Sequence, residues 1–353
     1  MFLVVPLLLA GCTATAAPSS PSPSPASSPA SVPVSVPASS PAFLSASPSA
    51  PVELTLVFAG DVHFMDRTAK LLKDPATAFG PIAAQLSAAD LTIVNLETAI
   101  TSRGVEEPKT YHFRTTPVAI DALKAAGIDA VSIANNHTLD YGRTGLLDTL
   151  DALRKAQYPA FGAGANTDEA YRPWLTTVRG VKIAVLGFSQ VGELSSSWAP
   201  GPDKPGIAMA FDTQRAVAAV TEARRHADLV IVFNHWGDEG NSCPNPAQKT
   251  FAGRLSTAGA DLIIGAHAHT LQGSGRLGPT FVAYGLGNFL WYGPSKSTET
   301  GLLRLTVRDR TVTSREFLPA VVSDTGQPTL LTGTAANRLS QRYAGLSTCA
   351  GLT

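Results

Sequence analysis

The sequence carries little charge, and neither sign dominates. Charged side chains make up 15% of the 353 residues, and 27 acidic residues balance 27 basic ones. This composition gives no basic face for nucleic acid, so we expect no nucleic-acid partner, although a local basic patch is compatible with it. The length suggests one large domain or two ordinary ones, and the sequence has no internal repeat.

The sequence also lacks an apolar run as long as the ~20 residues that a membrane-spanning helix needs. The stretch before Cys12 is much shorter and fits the hydrophobic part of an export signal. It closes in Leu9-Ala10-Gly11-Cys12, which resembles the bacterial lipobox, whose cysteine is lipidated. No Lys or Arg precedes the stretch, so the true start of the signal stays open. We expect 1–12 to be a lipoprotein signal and the protein to be anchored outside the cytoplasm, on the bacterial cell membrane.

Cysteine is scarce, with Cys243 and Cys349 the only two besides Cys12. Outside the cytoplasm, two remaining thiols are more often paired than free. We therefore expect a Cys243–Cys349 disulfide that fixes the C-terminal tail beside the loop after His235. Two unrelated thiols are the alternative.

Residues 13–50 are almost entirely Ser, Pro and Ala. They offer little apolar area to offset the entropy of ordering, and proline interrupts helices and sheet ladders. We expect a disordered linker without site residues. The globular domain is assigned to 51–320, and 321–353 to a C-terminal tail packed on it.

Strand and helix patterns alternate in the early part of the folded region, which favours a layered α/β fold. Predicted strands are Glu53–Ala59, Asp90–Val94, Asp129–Ala134, Val181–Gly187, Leu229–Phe233, Asp261–Ile264 and Phe281–Tyr284. Predicted helices include Pro117–Ala126, Gly145–Ala156, 212–226 and Pro246–Gly259. The late part is rich in strands and closes in a hairpin, Leu302–Val307 and Thr311–Phe317. It predicts a mixed sheet or a second sheet packed on the first.

Five of the seven histidines follow predicted strands. They are His63, His137, His235, His267 and His269. Because open α/β sheets place their sites at the carboxyl ends of strands, we expect these imidazoles to meet. Neutral imidazole is the commonest metal ligand among side chains.

Oxygen donors follow the same strands, namely Asp61, Glu97 and Asn136. A mixed oxygen and nitrogen set without thiolate fits Zn, Mn or Fe in a hydrolytic site. The set is too large for one tetrahedral ion and fits two divalent ions that share a bridging carboxylate. Each residue alone has a structural explanation: Asp61 can cap a helix, Asn136 can hold a left-handed turn, and His235 can be a core histidine. Their joint occurrence in order favours metal binding.

The motifs in this order resemble the calcineurin-like metallophosphoesterase superfamily, and more closely the CapA family, which is named for poly-γ-glutamate capsule synthesis. The resemblance spans about 52–290 and rests on a set of short motifs. These are Gly60-Asp61-Val62, Asn95-Leu96-Glu97, Tyr111-x-Phe113-Arg114, Asn135-Asn136-His137-x-x-Asp140-Tyr141-Gly142, His235-Trp236-Gly237-x-Glu239, Gly265-Ala266-His267-x-His269 and Gly287-Asn288-Phe289.

The resemblance implies a four-layer α/β/β/α sandwich and assigns roles to the site residues. One metal would be held by Asp61, His63 and His269, and the other by Asn136, His235 and His267, with Glu97 as the bridge. His137 would protonate the leaving group, with Asp140 orienting it. Glu97 departs from the superfamily pattern, which has Asp at this position, and the longer side chain bears on the metal spacing.

Four further residues are expected to bind substrate. Lys109 and Arg114 suit an anionic group, because Arg binds carboxylate or phosphate through two parallel hydrogen bonds. Glu239 and Asn288 belong to matched motifs. The alternative for Lys109 and Arg114 is ordinary solvation.

The first functional hypothesis is a membrane-anchored, metal-dependent phosphoester hydrolase that acts on or during the synthesis of poly-γ-glutamate or a related anionic envelope polymer. Polymer-synthase subunits are possible partners. The second is a non-catalytic lipoprotein that binds a polyanion for export or anchoring. A third is a phosphatase that scavenges nucleotides or sugar phosphates.

Overall fold

The computed structural model describes residues 52–295 and 297–353. The predicted signal with Cys12 and the predicted 13–50 linker lie outside the described residues. Within the described part, no helix is both long and apolar enough to cross a membrane.

Short apolar runs that end in Gly or in polar residues become strands, as the sequence predicts. In chain order the strands are β1 Glu53–Val62, β2 Leu91–Leu96, β3 Ala99–Ile100, β4 Arg114–Thr115, β5 Ala130–Ser132, β6 Ala160–Phe161, β7 Ala163–Gly164, β8 Trp174–Val178, β9 Val181–Ser189, β10 Gly206–Ile207, β11 Leu229–Trp236, β12 Leu262–His267, β13 Leu271–Leu277, β14 Thr280–Leu286, β15 Asn288–Leu290, β16 Glu299–Arg308, β17 Thr311–Val322 and β18 Pro328–Leu330.

The longer helices follow the amphipathic stretches. In chain order the helices are α1 Asp66–Ala69, α2 Ala83–Leu86, α3 Val118–Ala125, α4 Gly142–Lys155, α5 Thr167–Ala170, α6 Ser195–Trp198, α7 Thr213–His226, α8 Pro246–Ala258, α9 Gly333–Gly345 and α10 Ser347–Ala350. Three 3₁₀ turns, Lys70–Lys73, Pro75–Thr77 and Gly80–Ile82, lie between α1 and β2. Proline at the start of two of these turns is compatible with a first turn but not with a helix interior.

Two sheets form the centre of the fold. Sheet 1 has the order β18-β17-β16-β1-β2-β5-β6, with β15 also paired to β1, and its strands β1, β2, β5 and β6 are parallel. The predicted closing hairpin, β16 and β17, returns to this sheet and pairs antiparallel with β1. Sheet 2 has the order β13-β14-β12-β11-β9-β8, with β9, β11, β12 and β14 parallel.

The two sheets pack face to face because their strands are apolar on both sides. In β1, Leu56 and Phe58 face sheet 2, whereas Val57 and Ala59 face the helices on the outside. In β9, Ile183 lies between the sheets and Ala184 faces the other way. Successive strand residues point to opposite faces, and continuous apolar strands are typical of sheets covered on both sides.

Helices cover both outer faces. Leu123 of α3 and Leu146 of α4 pack on sheet 1, and Val220 of α7 and Leu255 of α8 pack on sheet 2. The layers are therefore α/β/β/α, and the predicted fold class is confirmed.

The C-terminal region is more regular than a tail. Strand β17 continues through Val322, across the predicted boundary at 320, and α9 then lies against β13 and β17, where Tyr343 stacks on Phe317 with ring centroids 4.0 Å apart. Cys349 of α10 is joined to Cys243, with their Cα atoms 5.6 Å apart. The disulfide fixes the loop after β11 to the end of the chain.

Glycine is required where strand ends pass close to other backbone segments. A Cβ on Gly60 would lie 1.8 Å from the carbonyl oxygen of Gly287, and a Cβ on Gly265 would lie 1.9 Å from that of Tyr284. Non-bonded atoms cannot approach this closely, so only glycine fits at these two positions. Asp61, which follows Gly60, donates its backbone N–H to Gly287 O at 3.0 Å.

Replacing Gly60 with alanine is expected to lower the free energy of unfolding by about 2–3 kcal/mol, because β1 must move away from Gly287. Gly253 in α8 is a matched control, since a Cβ there meets no atom within 4 Å. Gly253→Ala is expected to leave stability unchanged or raise it by up to about 1 kcal/mol, since alanine favours helix. Guanidinium unfolding of both variants measures the difference. Equal midpoints would contradict the packing argument.

Candidate metal centre

The carboxyl ends of the parallel strands of both sheets meet at one edge of the sandwich. Sheet 1 contributes Asp61 near the end of β1, His63 directly after it and Glu97 directly after β2. Asn136 and His137 lie in the turn after β5. Sheet 2 contributes the remaining histidines: His235 and His267 near the ends of β11 and β12, and His269 in the turn that follows. The structure therefore brings all the predicted ligands together.

Two of these histidines have an unusual backbone. The φ angles of His267 and His269 are 88° and 52°, in the left-handed region that side chains other than glycine rarely adopt. Such conformations cost free energy and persist only where the surrounding structure enforces them. Here they turn two imidazoles, only two residues apart, into the same site.

Glu97 lies at the centre of the site and is fully buried. Its Oε2 is 2.9 Å from His63 Nε2, and its Oε1 is 3.1 Å from His235 Nε2 and 4.0 Å from His137 Nε2. Burial alone raises the pKa of Glu97, but the imidazoles of His235 and His63 outweigh it and hold the pKa well below its usual range. The carboxyl is therefore an anion that two sides of the site share.

Asp61 is the second fully buried carboxylate. Its Oδ2 accepts the backbone N–H of His267 at 3.3 Å and lies 3.4 Å from His269 Nδ1. Burial lowers the pKa of His269, but the hydrogen bond to Asp61 and the nearby carboxylates outweigh it and raise the pKa to about 9. His269 Nδ1 also lies 2.8 Å from Asn288 Oδ1, so Asn288 orients this ring.

The side-chain amides of Asn95 and Asn135 form a hydrogen-bond network beside the two buried carboxylates. The sequence did not reveal this role for either residue. Asn95 Nδ2 donates to Asp61 Oδ1 at 2.8 Å and lies 3.2 Å from His235 Nδ1. Asn135 Nδ2 in turn donates to Asn95 Oδ1 at 3.1 Å, and Asn135 Oδ1 accepts the N–H of His137. The two residues are prominent in the sequence only as part of the strand-end motifs.

Two of the three possible donor groups share Glu97, and the third joins Glu239, His267 and His269. In one group, ligand atoms of Glu97, His235 and His267 all lie within 4.8 Å of one another, and in the other the same holds for Asp61, Glu97 and His269. Asn136 Oδ1 lies 2.7 Å from His235 Nε2 and extends the first group, whereas His63 adjoins Glu97, which both groups share.

The donor set fits two divalent ions. His63 Nδ1 and His267 Nδ1 are buried without a hydrogen-bond partner among the described residues. Polar atoms buried in this way are rare unless they serve a ligand. Carboxylate, amide and imidazole donors suit Zn, Mn or Fe, and a carboxylate common to both groups is what a two-ion site requires.

A second set of charges lies behind His137. The Nδ1 of His137 is 2.7 Å from Asp140 Oδ2, and Asp140 Oδ1 is 2.9 Å from the ammonium of Lys109. Lys109 also lies 3.0 Å from Glu193 Oε2 and donates to the carbonyl of Asn136. Burial raises the pKa of Asp140 to about 7 against the effect of Lys109, and burial together with Lys109 lowers the pKa of His137 well below its usual range.

A cavity of about 210 Å³ opens onto His269, one of the candidate ligands, and onto His137. Its floor includes His137 and His269, and its wall includes Trp291 and Tyr292. The Trp291 ring lies 4.6 Å from both His63 and His269, measured between centroids. The aromatic wall therefore keeps water from one side of the candidate metal centre.

The four predicted substrate residues do not share one location. Glu239 lines the cavity, whereas Asn288 lies behind His269. The Lys109 side chain is only 1% exposed, and its charge faces Asp140 and Glu193. Arg114 places its guanidinium 4.6 Å from the centroid of the Tyr141 ring, and neither basic residue lines the cavity.

A larger cavity of about 550 Å³ lies at the opposite edge of the sheets, near Val181 and Leu229, where β9 and β11 begin. Two of its arginines, Arg224 and Arg310, already pair with the buried carboxylate of Asp261. We therefore treat the smaller cavity over the histidines as the functional one.

Fold and site together define an α/β/β/α protein with a candidate dinuclear metal centre at the strand ends. The model of the family described as bacterial capsule synthesis protein PGA_cap matches residues 55–292. The chain belongs to this family, and the predicted relationship to CapA is confirmed.

Individual relatives share this assignment. The PGA biosynthesis protein CapA of Bacillus subtilis (strain 168) is 32% identical over 243 residues, which cover 67% of this chain and 63% of that protein. The capsule biosynthesis protein CapA of Bacillus anthracis is 28% identical over 291 residues, or 78% and 69% of the two chains. The chain thus spans less than two thirds of the Bacillus subtilis relative.

A solved structure described as a novel phosphatase from Mycoplasma pneumoniae is similar to this chain with a TM-score of 0.48 and 16% identity. The similarity covers 77% of this chain and 95% of that one. We draw no conclusion about activity from a likeness of this extent.

The two donor groups predict how metal content responds to single substitutions. The protein purified with Mn²⁺ or Zn²⁺ is expected to hold about two equivalents, measured by inductively coupled plasma mass spectrometry. His267→Ala is expected to lose one, and Glu97→Ala both, because Glu97 belongs to both groups. His226→Ala is the matched control, since His226 is exposed on α7 and pairs with Glu222. One equivalent in the unsubstituted protein, or two in Glu97→Ala, would contradict the shared-carboxylate arrangement.

Proposed function

We propose that this protein is a metal-dependent phosphoester hydrolase that acts during the synthesis of an anionic envelope polymer. The observation that carries the proposal is the pair of buried donor groups that share Glu97, with His137 beside them. Two fully buried carboxylates are costly without compensating cations, and their mixture with imidazole and amide donors favours a site for divalent ions.

The chemistry divides between the ions and the protein. Asp61, His63 and His269 would hold one divalent ion, and Asn136, His235 and His267 the other. Bound there, the ions would supply Lewis-acid charge that stabilises the negative charge developing on a phosphoryl group. The protein itself orients the ions, excludes water and supplies a proton.

His137 is suited to protonate the leaving group. Asp140 holds the His137 Nδ1, so that Nε2 faces Glu97 and the two donor groups. Burial disfavours the protonated imidazole in the free protein, and the negative charge of a bound phosphoester would favour it. Lys109 fixes Asp140 from behind, so it acts as a positioning residue and not as a contact to substrate.

The role in polymer synthesis is supported by family membership. The Bacillus subtilis relative is described as a PGA biosynthesis protein and the Bacillus anthracis relative as a capsule biosynthesis protein. We propose the same process for this chain, with polymer-synthase subunits as possible partners. The positions of Lys109 and Arg114 favour an enzyme over a polyanion-binding protein, because neither basic side chain lines the cavity.

Removal of His137 is expected to abolish most turnover while leaving the metal in place. With a dialkyl phosphodiester, whose alkoxide leaving group needs a proton, and Mn²⁺-loaded protein, His137→Ala should lower kcat by about 10²–10³-fold. Its metal content should stay at the unsubstituted level, which separates loss of a proton donor from loss of the site. His226→Ala should match the unsubstituted protein in both measurements. Absence of turnover in the fully loaded, unsubstituted protein would refute the hydrolase proposal.

We also propose that the protein works outside the cytoplasm, anchored through Cys12. The lipobox resemblance supports this location, and the Cys243–Cys349 disulfide is compatible with it, because such bonds persist in oxidising compartments.

Cys12→Ala is expected to move the protein from the membrane fraction to the soluble extracytoplasmic fraction, because a lipid anchor requires the thiol. Immunoblots of fractionated cells, with a lipoprotein of the host as a marker, measure the shift. Cys243→Ser is the control for loss of a cysteine as such and should stay with the membrane. Unchanged membrane association of Cys12→Ala would exclude this anchor.

A further inference from the structure

The entrance to the cavity has a composition different from its floor. The floor includes the candidate metal ligand His269 and His137, whereas Tyr111, Tyr292 and Glu239 lie around the opening. Tyr111 is 62% exposed, and the side chain of Glu239 is 59% exposed. A substituent that projects outward from a phosphoryl group on the floor can lie beside these three side chains.

No Lys or Arg lines this entrance among the described residues, and His269 is the imidazole beside Glu239. The nearby cations are already committed, since Lys109 is buried between Asp140 and Glu193 and Arg114 stacks on Tyr141. Glu239 is the carboxylate at the opening, and its Oε1 lies 3.9 Å from His269 Nε2. Glu239 is therefore the one carboxylate that the described residues place at the opening, and the floor would be positive once the ions are bound.

The aromatic wall of the entrance is held rigidly. The Tyr292 ring packs 5.0 Å from Trp291 and 4.7 Å from Phe113, measured between centroids. Trp291 and Phe113 are each only 5% exposed, so they support Tyr292 from the protein side. A fixed aromatic face beside a carboxylate attracts organic cations, because the ring quadrupole and the charge act in the same direction.

We propose that this cavity selects phosphoesters whose second substituent carries a positively charged amine, with Tyr111, Tyr292 and Glu239 surrounding the ammonium. The inference rests on the proposed hydrolase function and specifies its substrate class. A further phosphate or carboxylate at this position would face Glu239 and be repelled. The substrate is accordingly a cationic phosphoester used in polymer synthesis and not the polyanion itself.

Two esters with the same leaving group test this selectivity. p-Nitrophenyl phosphorylcholine carries a quaternary ammonium, and p-nitrophenyl 3,3-dimethylbutyl phosphate has the same shape with carbon in place of nitrogen. For the Mn²⁺-loaded full chain, kcat/KM is expected to be about tenfold higher for the cationic ester. Glu239→Gln should reduce this ratio about fivefold. Glu222→Gln, which alters a side chain of similar exposure on α7, should leave the ratio unchanged.

A third ester carries a carboxylate in place of the quaternary ammonium. It tests whether the cavity prefers an anion instead. Lys296 follows the lining residue Ser295 and lies outside the described residues. Preference for the carboxylate ester, lost in Lys296→Ala, would overturn the proposal in favour of anion recognition. Loss of metal from Glu239→Gln would also overturn it, because Glu239 would then be a ligand.

Failure of the inference is distinguishable from failure of the hydrolase function. Turnover of bis(p-nitrophenyl) phosphate with a ratio near one for the matched esters would refute the inference and leave the function standing. If no ester is hydrolysed, the function fails, and calorimetry then compares phosphocholine with 3,3-dimethylbutyl phosphate as ligands. About tenfold tighter binding of phosphocholine supports the cationic site, and equal affinities refute it.

Discussion

The burial of two carboxylates where the sheets meet is the constraint on which the rest of the site depends. Asp61 and Glu97 are inaccessible to solvent, and among the described residues no Lys or Arg pairs with either. Burying an ion costs several kcal/mol unless other groups compensate for it. Imidazoles and amides from five strand ends provide part of this compensation, and divalent cations would complete it.

The sequence predicts the location of the site well, because that location follows from a local pattern. An apolar run such as Leu54–Ala59 followed by Gly60 and Asp61 indicates a buried strand with a polar carboxyl end, and several such ends must meet at one sheet edge. The four layers, in contrast, were expected from family resemblance. Periodicity predicted the hairpin of β16 and β17. It does not indicate that β16 pairs with β1, because that pairing joins the two ends of the domain.

Side-chain roles that depend on burial were harder to predict. Lys109 lies in the same loop as Arg114 and was expected to face substrate, whereas its ammonium is enclosed by carboxylates from separate loops. The roles of Asn95 and Asn135 arise only when the amides of neighbouring strands are placed side by side. Helix α9 did have a local signal, since Leu339 and Tyr343 are spaced four residues apart and form its buried face.

The pairing of β1 with β16 also bears on the order in which the protein folds. Leu54 pairs with Val307, so the central strand of sheet 1 keeps an unpaired edge until nearly the whole chain is available. Contacts of such long sequence separation form late and slow the folding reaction. A chain that crosses a membrane or leaves a ribosome from its N-terminus would therefore hold Asp61 and Gly60 in an incomplete sheet. The candidate metal site would then form only after the hairpin of β16 and β17 has paired with β1.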